Sequence, residues 1–187
     1  MYEEFYGFKE RPFALVPDPS FLYLSKGHGT ALTLLRYSIM NRQGFTVVSG
    51  EVGSGKTTLV NRLLDELKTG VTVGLINFTT RTFGDMAEWI MMAYGLPYKN
   101  KGKVELYEDF VQFMIREYAA GRPVVLIVDE AQNLGIRGLE EIRMLSNVNA
   151  QKEYLLHVIL VGQPELRALL QTPQLRQLTQ RVSVAFH

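Results

Sequence analysis

Apolar and polar positions along this chain fall into two alternating kinds of run. Phe45-Thr46-Val47-Val48-Ser49, Val71–Asn77, Val124–Val128, Tyr154–Gly162 and Val182–Phe186 are short, rich in β-branched residues and bounded by polar or turn residues. They read as strands, and the continuous apolar run Val124–Val128, without alternation, predicts burial on both faces, as in a parallel sheet. Between them apolar residues recur at helical spacing. Ala31, Leu32, Leu34, Leu35, Tyr37 and Ile39 follow a Ser25 cap, and Thr58–Lys68 is closed by Gly70. Phe83–Tyr94, capped by Thr82, stops at Gly95-Leu96-Pro97. Val104–Ala120 carries Leu106, Phe110, Phe113, Met114 and Tyr118 on one face. Gly138–Asn149, Glu165–Leu170 behind Pro164, and Gln174–Arg181 complete the helical set. Strands alternating with helices predict an α/β, three-layer αβα fold around a parallel five-stranded sheet with right-handed crossovers.

Residues 1–24 break this rhythm. Tyr2, Phe5, Tyr6, Phe8, Phe13, Phe21 and Tyr23 are interrupted by Pro12, Pro17 and Pro19, which predicts an ordered aromatic arm with turns. It is expected to pack on the body, with part of it able to shelve a flat base by apolar contact. Lys99-Asn100-Lys101-Gly102-Lys103 reads as a solvated basic loop. His28 reads as a surface or cap-region histidine, and three scattered histidines do not suggest a metal site.

One stretch changes the picture from fold to chemistry. Gly50-Glu51-Val52-Gly53-Ser54-Gly55-Lys56-Thr57 fits G-x-x-x-x-G-K-[ST], and it sits between a predicted strand and a predicted helix. The glycines let the backbone curl so that successive N–H groups face phosphate oxygens, and the helix adds its unpaired amides and positive end. Lys56 supplies a cation for the β- and γ-phosphates, and Thr57 a hydroxyl for Mg²⁺. Gly50 to Thr58, with Glu51, Val52, Gly53, Ser54 and Gly55 between, are the expected nucleotide-binding residues for ATP or ADP.

A second element lies at the end of Val124–Val128. Asp129-Glu130 follows that strand directly, where open α/β sheets bind ligands. It reads as a Walker B pair: Asp129 as the metal-directed carboxylate with Thr57, and Glu130 as general base toward the attacking water.

Bulk properties narrow the partners and the compartment. With 187 residues, 47% hydrophobic and 21% charged, the chain reads as one ordinary globular domain, 1–187. A net charge of +1 creates no field that demands nucleic acid or an anionic membrane. There is no cysteine, no signal-like start and no apolar run of membrane-spanning length. These features fit a cytoplasmic location, with attachment to the inner face of a bacterial inner membrane only through partners or further regions.

The order of motifs resembles an ASCE-type P-loop ATPase of the AAA+ superfamily, which implies the sheet order 5-1-4-3-2. Within it, Phe5-Tyr6-Gly7-Phe8 with Pro12-Phe13, Pro17-Asp18-Pro19 and Phe21-Leu22-Tyr23 resemble the general secretion pathway protein A ATPases. So do Gly50–Thr58, Asp129-Glu130-Ala131-Gln132-Asn133-Leu134, Gly162-Gln163-Pro164-Glu165-Leu166 and Leu175–Val182. The family also includes relatives from pilus and exopolysaccharide loci. The resemblance implies Gln163 as sensor 1 and Asn77 as the residue that restrains Glu130. It implies Arg181, with Arg176 as understudy, as a finger completing a neighbour's site, and hence a homo-oligomeric ring, such as a hexamer, or a filament. The helical lid that AAA+ modules carry after the fifth strand is not found before His187, nor are the family's later domains. The implied function is Mg²⁺-dependent ATP hydrolysis driving rearrangement of an envelope-assembly or secretion partner. Two alternatives stay open. One is a DNA-binding transposition ATPase of the Tn7-like type, with a basic stripe of Lys99, Lys101, Lys103, Arg137 and Arg143. The other is a nucleotide-gated scaffold with little hydrolysis.

Overall fold

The structure, a computed structural model, describes residues 5–8, 25–67, 70–77, 85–150 and 153–187. Five parallel strands form the central sheet: β1 (Phe45–Ser49), β2 (Thr72–Asn77), β3 (Val124–Asp129), β4 (Leu156–Gly162) and β5 (Val182–Phe186). Their order across the sheet is β2-β3-β4-β1-β5, which is the expected 5-1-4-3-2. Among the described residues, the sheet is flanked by α1 (Lys26–Met40), α2 (Lys56–Glu66), α3 (Met86–Ala93), α4 (Lys103–Ala119), α5 (Gly135–Leu145), α6 (Pro164–Leu170) and α7 (Arg176–Thr179).

The pleat explains the three layers. Val124, Leu126 and Val128 of β3 point into one core, with Val158 and Leu160 of β4. That core is closed by Met86, Ile90, Leu106, Phe110, Met114, Leu139 and Ile142 from α3, α4 and α5. Val125 and Ile127 point the other way, with Ile159 and Val161, against Leu32 and Leu35 of α1 and Leu59 and Leu63 of α2. Burial on both faces is why these strands read as continuous apolar runs. Each such side chain contributes about 1.5–3 kcal/mol relative to exposure.

Several boundaries differ from the sequence pattern. Helix α3 runs from Met86 with Asp85 as its cap, accepting a hydrogen bond from the Ala87 N–H at 3.1 Å, while the expected start at Phe83 lies outside the described residues. The expected cap, Thr82, lies outside the described residues. Helix α5 begins at Gly135, after a 3₁₀ turn at Ala131–Leu134, and ends at Leu145. Asn149 and Tyr154, expected in a helix and in the fourth strand, instead pair in a small antiparallel hairpin ahead of β4.

The basic loop is not simply solvated. Lys101 pairs with Asp109 and Glu105, and Lys103 opens α4 and pairs with Asp85 at 2.7 Å. Of the aromatic arm, Phe5–Phe8 are described. Phe5, Tyr6 and Phe8 pack on one another and remain exposed, so these rings are not buried in the body. The expectation for the rest of the arm lies outside the described residues.

Candidate nucleotide site

Parallel strands bring their C-terminal ends to one edge, and each delivers a functional segment there. Strand β1 opens into the glycine loop, and Gly50 N–H donates to the Gly162 carbonyl of β4 at 3.2 Å. Gly55 takes the left-handed conformation at φ 84°, the turn that starts α2, where glycine costs least. Intrahelical bonding resumes with Leu59 N–H on the Gly55 carbonyl, so the amides of Lys56, Thr57 and Thr58 precede the α2 ladder. Such a helix start favours an anion.

The Lys56 ammonium donates to the carbonyls of Gly50 and Glu51, both at 2.8 Å, and so spans the mouth of the loop. Thr57 Oγ1 donates to Asp129 Oδ2 at 3.0 Å. Asp129 is buried and accepts from the Glu130 N–H through Oδ1 at 2.9 Å. A hydroxyl beside a carboxylate is a hard oxygen pair of the kind that holds Mg²⁺ while leaving most of its waters in place, so the donor set fits that ion. Among the described residues no group of three or more His, Asp or Glu side chains forms another metal cluster.

Glu130 stands in the left-handed region at φ 53° and ψ 39°, which for a side chain with a Cβ costs about 1–2 kcal/mol. Backbone strain of this kind persists where surrounding contacts over-determine it, and it gathers at functional sites. The Gln163 side chain donates through Nε2 to Glu130 Oε2 at 3.0 Å. Val52, Gly53, Gly55, Lys56, Thr57, Thr58, Glu130 and Gln163 line a cleft of about 240 Å³. A larger hollow, about 630 Å³, lies among Asp85, Lys103, Tyr107, Glu141 and Arg143. It is lined partly by charges that already neutralise each other, whereas the smaller cleft collects unspent amides, Lys56 and the Glu130 carboxylate, with buried Asp129 behind Thr57. We therefore assign the site to the smaller cleft.

Two other expected residues stand apart from this cluster. Asn77 ends β2 opposite Asp129 in the ladder, and among the described residues no hydrogen bond joins it to Glu130. Arg181 precedes β5 at the opposite end of the sheet. Its Nη2 donates to Asn147 Oδ1 at 2.6 Å, and its guanidinium lies 5.9 Å from the Tyr154 ring centroid. Arg176 is exposed at the start of α7. Four of the five cations of the envisaged basic stripe are ion-paired: Lys101 and Lys103 as above, Arg137 with Glu141, and Arg143 with Glu140.

Two further side chains reach this cleft without a role read from the sequence. His28 reaches the glycine loop: its Nε2–H donates to the Ser54 carbonyl at 2.9 Å, while the Ser25 hydroxyl faces Nδ1 at 3.0 Å. Its only sequence signal was a place in the first turn of a capped helix, 26 residues before the loop atom it meets. The other is Gln132, which bridges Glu130 and Gln163. Its place three residues after Asp129 is a weak cue, since the loop after a strand can point in many directions.

An AAA domain family model matches residues 39–170. The whole chain is 39% identical to "General secretion pathway protein A" of Aeromonas hydrophila and spans 34% of that relative's length. Among solved structures, the Aeropyrum pernix ORC2 protein superposes with a TM-score of 0.66 at 15% identity, over 93% of this chain and 50% of that one. Cdc6p from Pyrobaculum aerophilum gives 0.59 at 21% identity, over 92% and 50%. At such identities these two likenesses concern the fold alone.

Proposed function

Because the chain belongs to the AAA domain family and is related to general secretion pathway protein A, we propose that it binds ATP and hydrolyses it at the cleft between the glycine loop and Asp129-Glu130. One observation carries the reading: Thr57 and Asp129, from two separate motifs, meet at 3.0 Å beside Lys56 and Glu130.

The roles follow from the donors and acceptors present. The loop amides and the start of α2 receive the phosphates, and Lys56 exchanges a loop carbonyl for a γ-phosphate oxygen. Thr57 and Asp129 would hold Mg²⁺, which would supply positive charge to offset that of the phosphates. Glu130 takes the proton of the attacking water, a contribution of about 10²–10⁴ in rate. Gln163 donates toward the developing charge, where one lost donor costs about 10²–10³. Arg181, or Arg176, serves the site of a neighbouring copy, so the active form is a homo-oligomer, a ring or a filament. The energy released rearranges subunits or an envelope-assembly partner, in the manner the secretion relative's name suggests. A cytoplasmic location suits this reading, and no helix among the described residues is long and apolar enough to cross a membrane.

The DNA-binding reading is less well supported, because partners already neutralise Lys101, Lys103, Arg137 and Arg143. Sequence-independent DNA affinity depends on free cations releasing counterions. Measuring ATP turnover against protein concentration tests the main reading. Turnover per subunit that rises with concentration supports hydrolysis at a shared site. The absence of turnover at every concentration leaves only a nucleotide-gated scaffold. Glu130→Gln should abolish hydrolysis while retaining ATP, and intact hydrolysis in that variant overturns the base assignment.

A further inference from the structure

Gln132 uses the two ends of its amide in opposite directions. Its Nε2 donates to Glu130 Oε2, and its Oε1 accepts the Gln163 backbone N–H at 3.1 Å. Gln163 closes the triangle by donating its own Nε2 to the same Glu130 oxygen at 3.0 Å. Glu130 Oε2 therefore receives two amide donors, while Oε1 takes no hydrogen bond within the triangle. The end of β4 is shaped around this bridge. A Cβ at position 162 would stand 2.6 Å from Gln132 Oε1 and 2.9 Å from Leu166 Cδ2, so only glycine lets the amide approach.

We infer that Gln132 is a positioning residue that holds Glu130 and Gln163 as one unit. It rests on the hydrolytic reading above. Anchoring one carboxylate oxygen fixes the rotation of the other, and the same amide fixes the backbone that carries Gln163. A loose Glu130, in strained backbone conformation, would sample orientations in which its free oxygen misses the water. Misplacement of about 1 Å at a reacting group costs on the order of 10² in rate. The hydrogen bonds of the Gln132 side chain go to Glu130 and Gln163 rather than to Lys56, Thr57 or Asp129, so its loss should affect turnover rather than ATP affinity.

The test is a comparison of Gln132→Leu with the parent chain and with Glu130→Gln. Steady-state ATPase gives kcat, binding of a non-hydrolysable ATP analogue gives Kd, and thermal unfolding reports the fold. The expected result for Gln132→Leu is a kcat lower by roughly 10- to 100-fold, with Kd and Tm close to those of the parent. Gln132→Glu retains size and the acceptor for the Gln163 N–H but opposes Glu130 with a second carboxylate. It should also lower kcat, and it serves should the leucine variant not fold. Unchanged kcat in both variants, or a rise in Kd and a fall in Tm accompanying the lower kcat, overturns the inference. If the parent has no turnover, or Glu130→Gln keeps it, the hydrolytic reading itself fails. If Glu130→Gln is inactive while the Gln132 variants match the parent, only the role of Gln132 fails.

Discussion

Thr57 Oγ1 and Asp129 Oδ2 lie 3.0 Å apart, although 72 residues separate them in the chain. The contact exists because β1 and β3, which carry the two motifs, flank β4 and run in the same direction. Their C-terminal ends then open on the same edge, and a hydroxyl from the first turn of α2 faces the last residue of β3. Replacing either partner should weaken the metal site more than the fold. For Asp129→Asn we expect turnover lower by roughly 10²-fold or more, partly restored by raised Mg²⁺. A magnesium titration of ATPase activity checks this, with thermal unfolding as control.

His28 predicts a smaller effect on binding. Its hydrogen bond to the Ser54 carbonyl ties the glycine loop to α1, and a single net hydrogen bond contributes about 0.5–1.5 kcal/mol. His28→Ala should therefore weaken ATP binding about 2- to 10-fold, with little change in kcat for bound nucleotide. Titration with a fluorescent ATP analogue would detect it. An unchanged Kd would show that the loop keeps its shape without this strut.

Two buried groups should divide the acid limb of stability between them. His157 on β4 is almost wholly buried, and this burial lowers its pKa from 6.5 to about 4, against the raising effect of the Gln43 carbonyl that accepts its Nδ1–H. It stays neutral in the fold while the unfolded chain takes up a proton. Stability therefore falls as pH drops from about 6.5 to about 4, by an amount on the order of 3 kcal/mol. Glu117 behaves oppositely in origin. Its hydrogen bonds from Arg122, and then from Thr72, bring its pKa from 4.5 down to about 2. Its stabilisation is complete above 4.5 and is lost as pH falls toward 2. Tm measured against pH should show two successive losses. His157→Leu should flatten the upper one, and Glu117→Gln the lower.

Arg181 sets a prediction about assembly. Its guanidinium is held by Asn147 and Tyr154 within its own chain, far from its own glycine loop. If it completes a neighbour's site, Arg181→Ala should cut turnover by about 10³-fold at concentrations that saturate assembly, with ATP affinity preserved. Mixing this variant with Glu130→Gln subunits should restore part of the activity where intact halves meet. A loss found in Arg176→Ala instead would assign the finger to that exposed residue.

The local pattern alone determined a large share of this protein. Burial on both faces wrote β1, β3 and β4 as continuous apolar runs, and the glycine loop and Asp129-Glu130 announced themselves because phosphate and metal binding demand contiguous residues of fixed type. The start of α5 comes earlier than the apolar spacing suggests because a 3₁₀ turn at Ala131–Leu134 leads straight into Gly135, a continuation that periodicity does not record. Only the tertiary structure decided which distant groups meet. It joined Thr57 to Asp129, set His28 under the glycine loop, paired the lysines of the basic loop with Asp85 and Asp109, and closed the Gln132 bridge between Glu130 and Gln163. Spacing in sequence carries no record of such contacts, since parallel strands joined by crossovers bring together ends that the chain itself holds far apart.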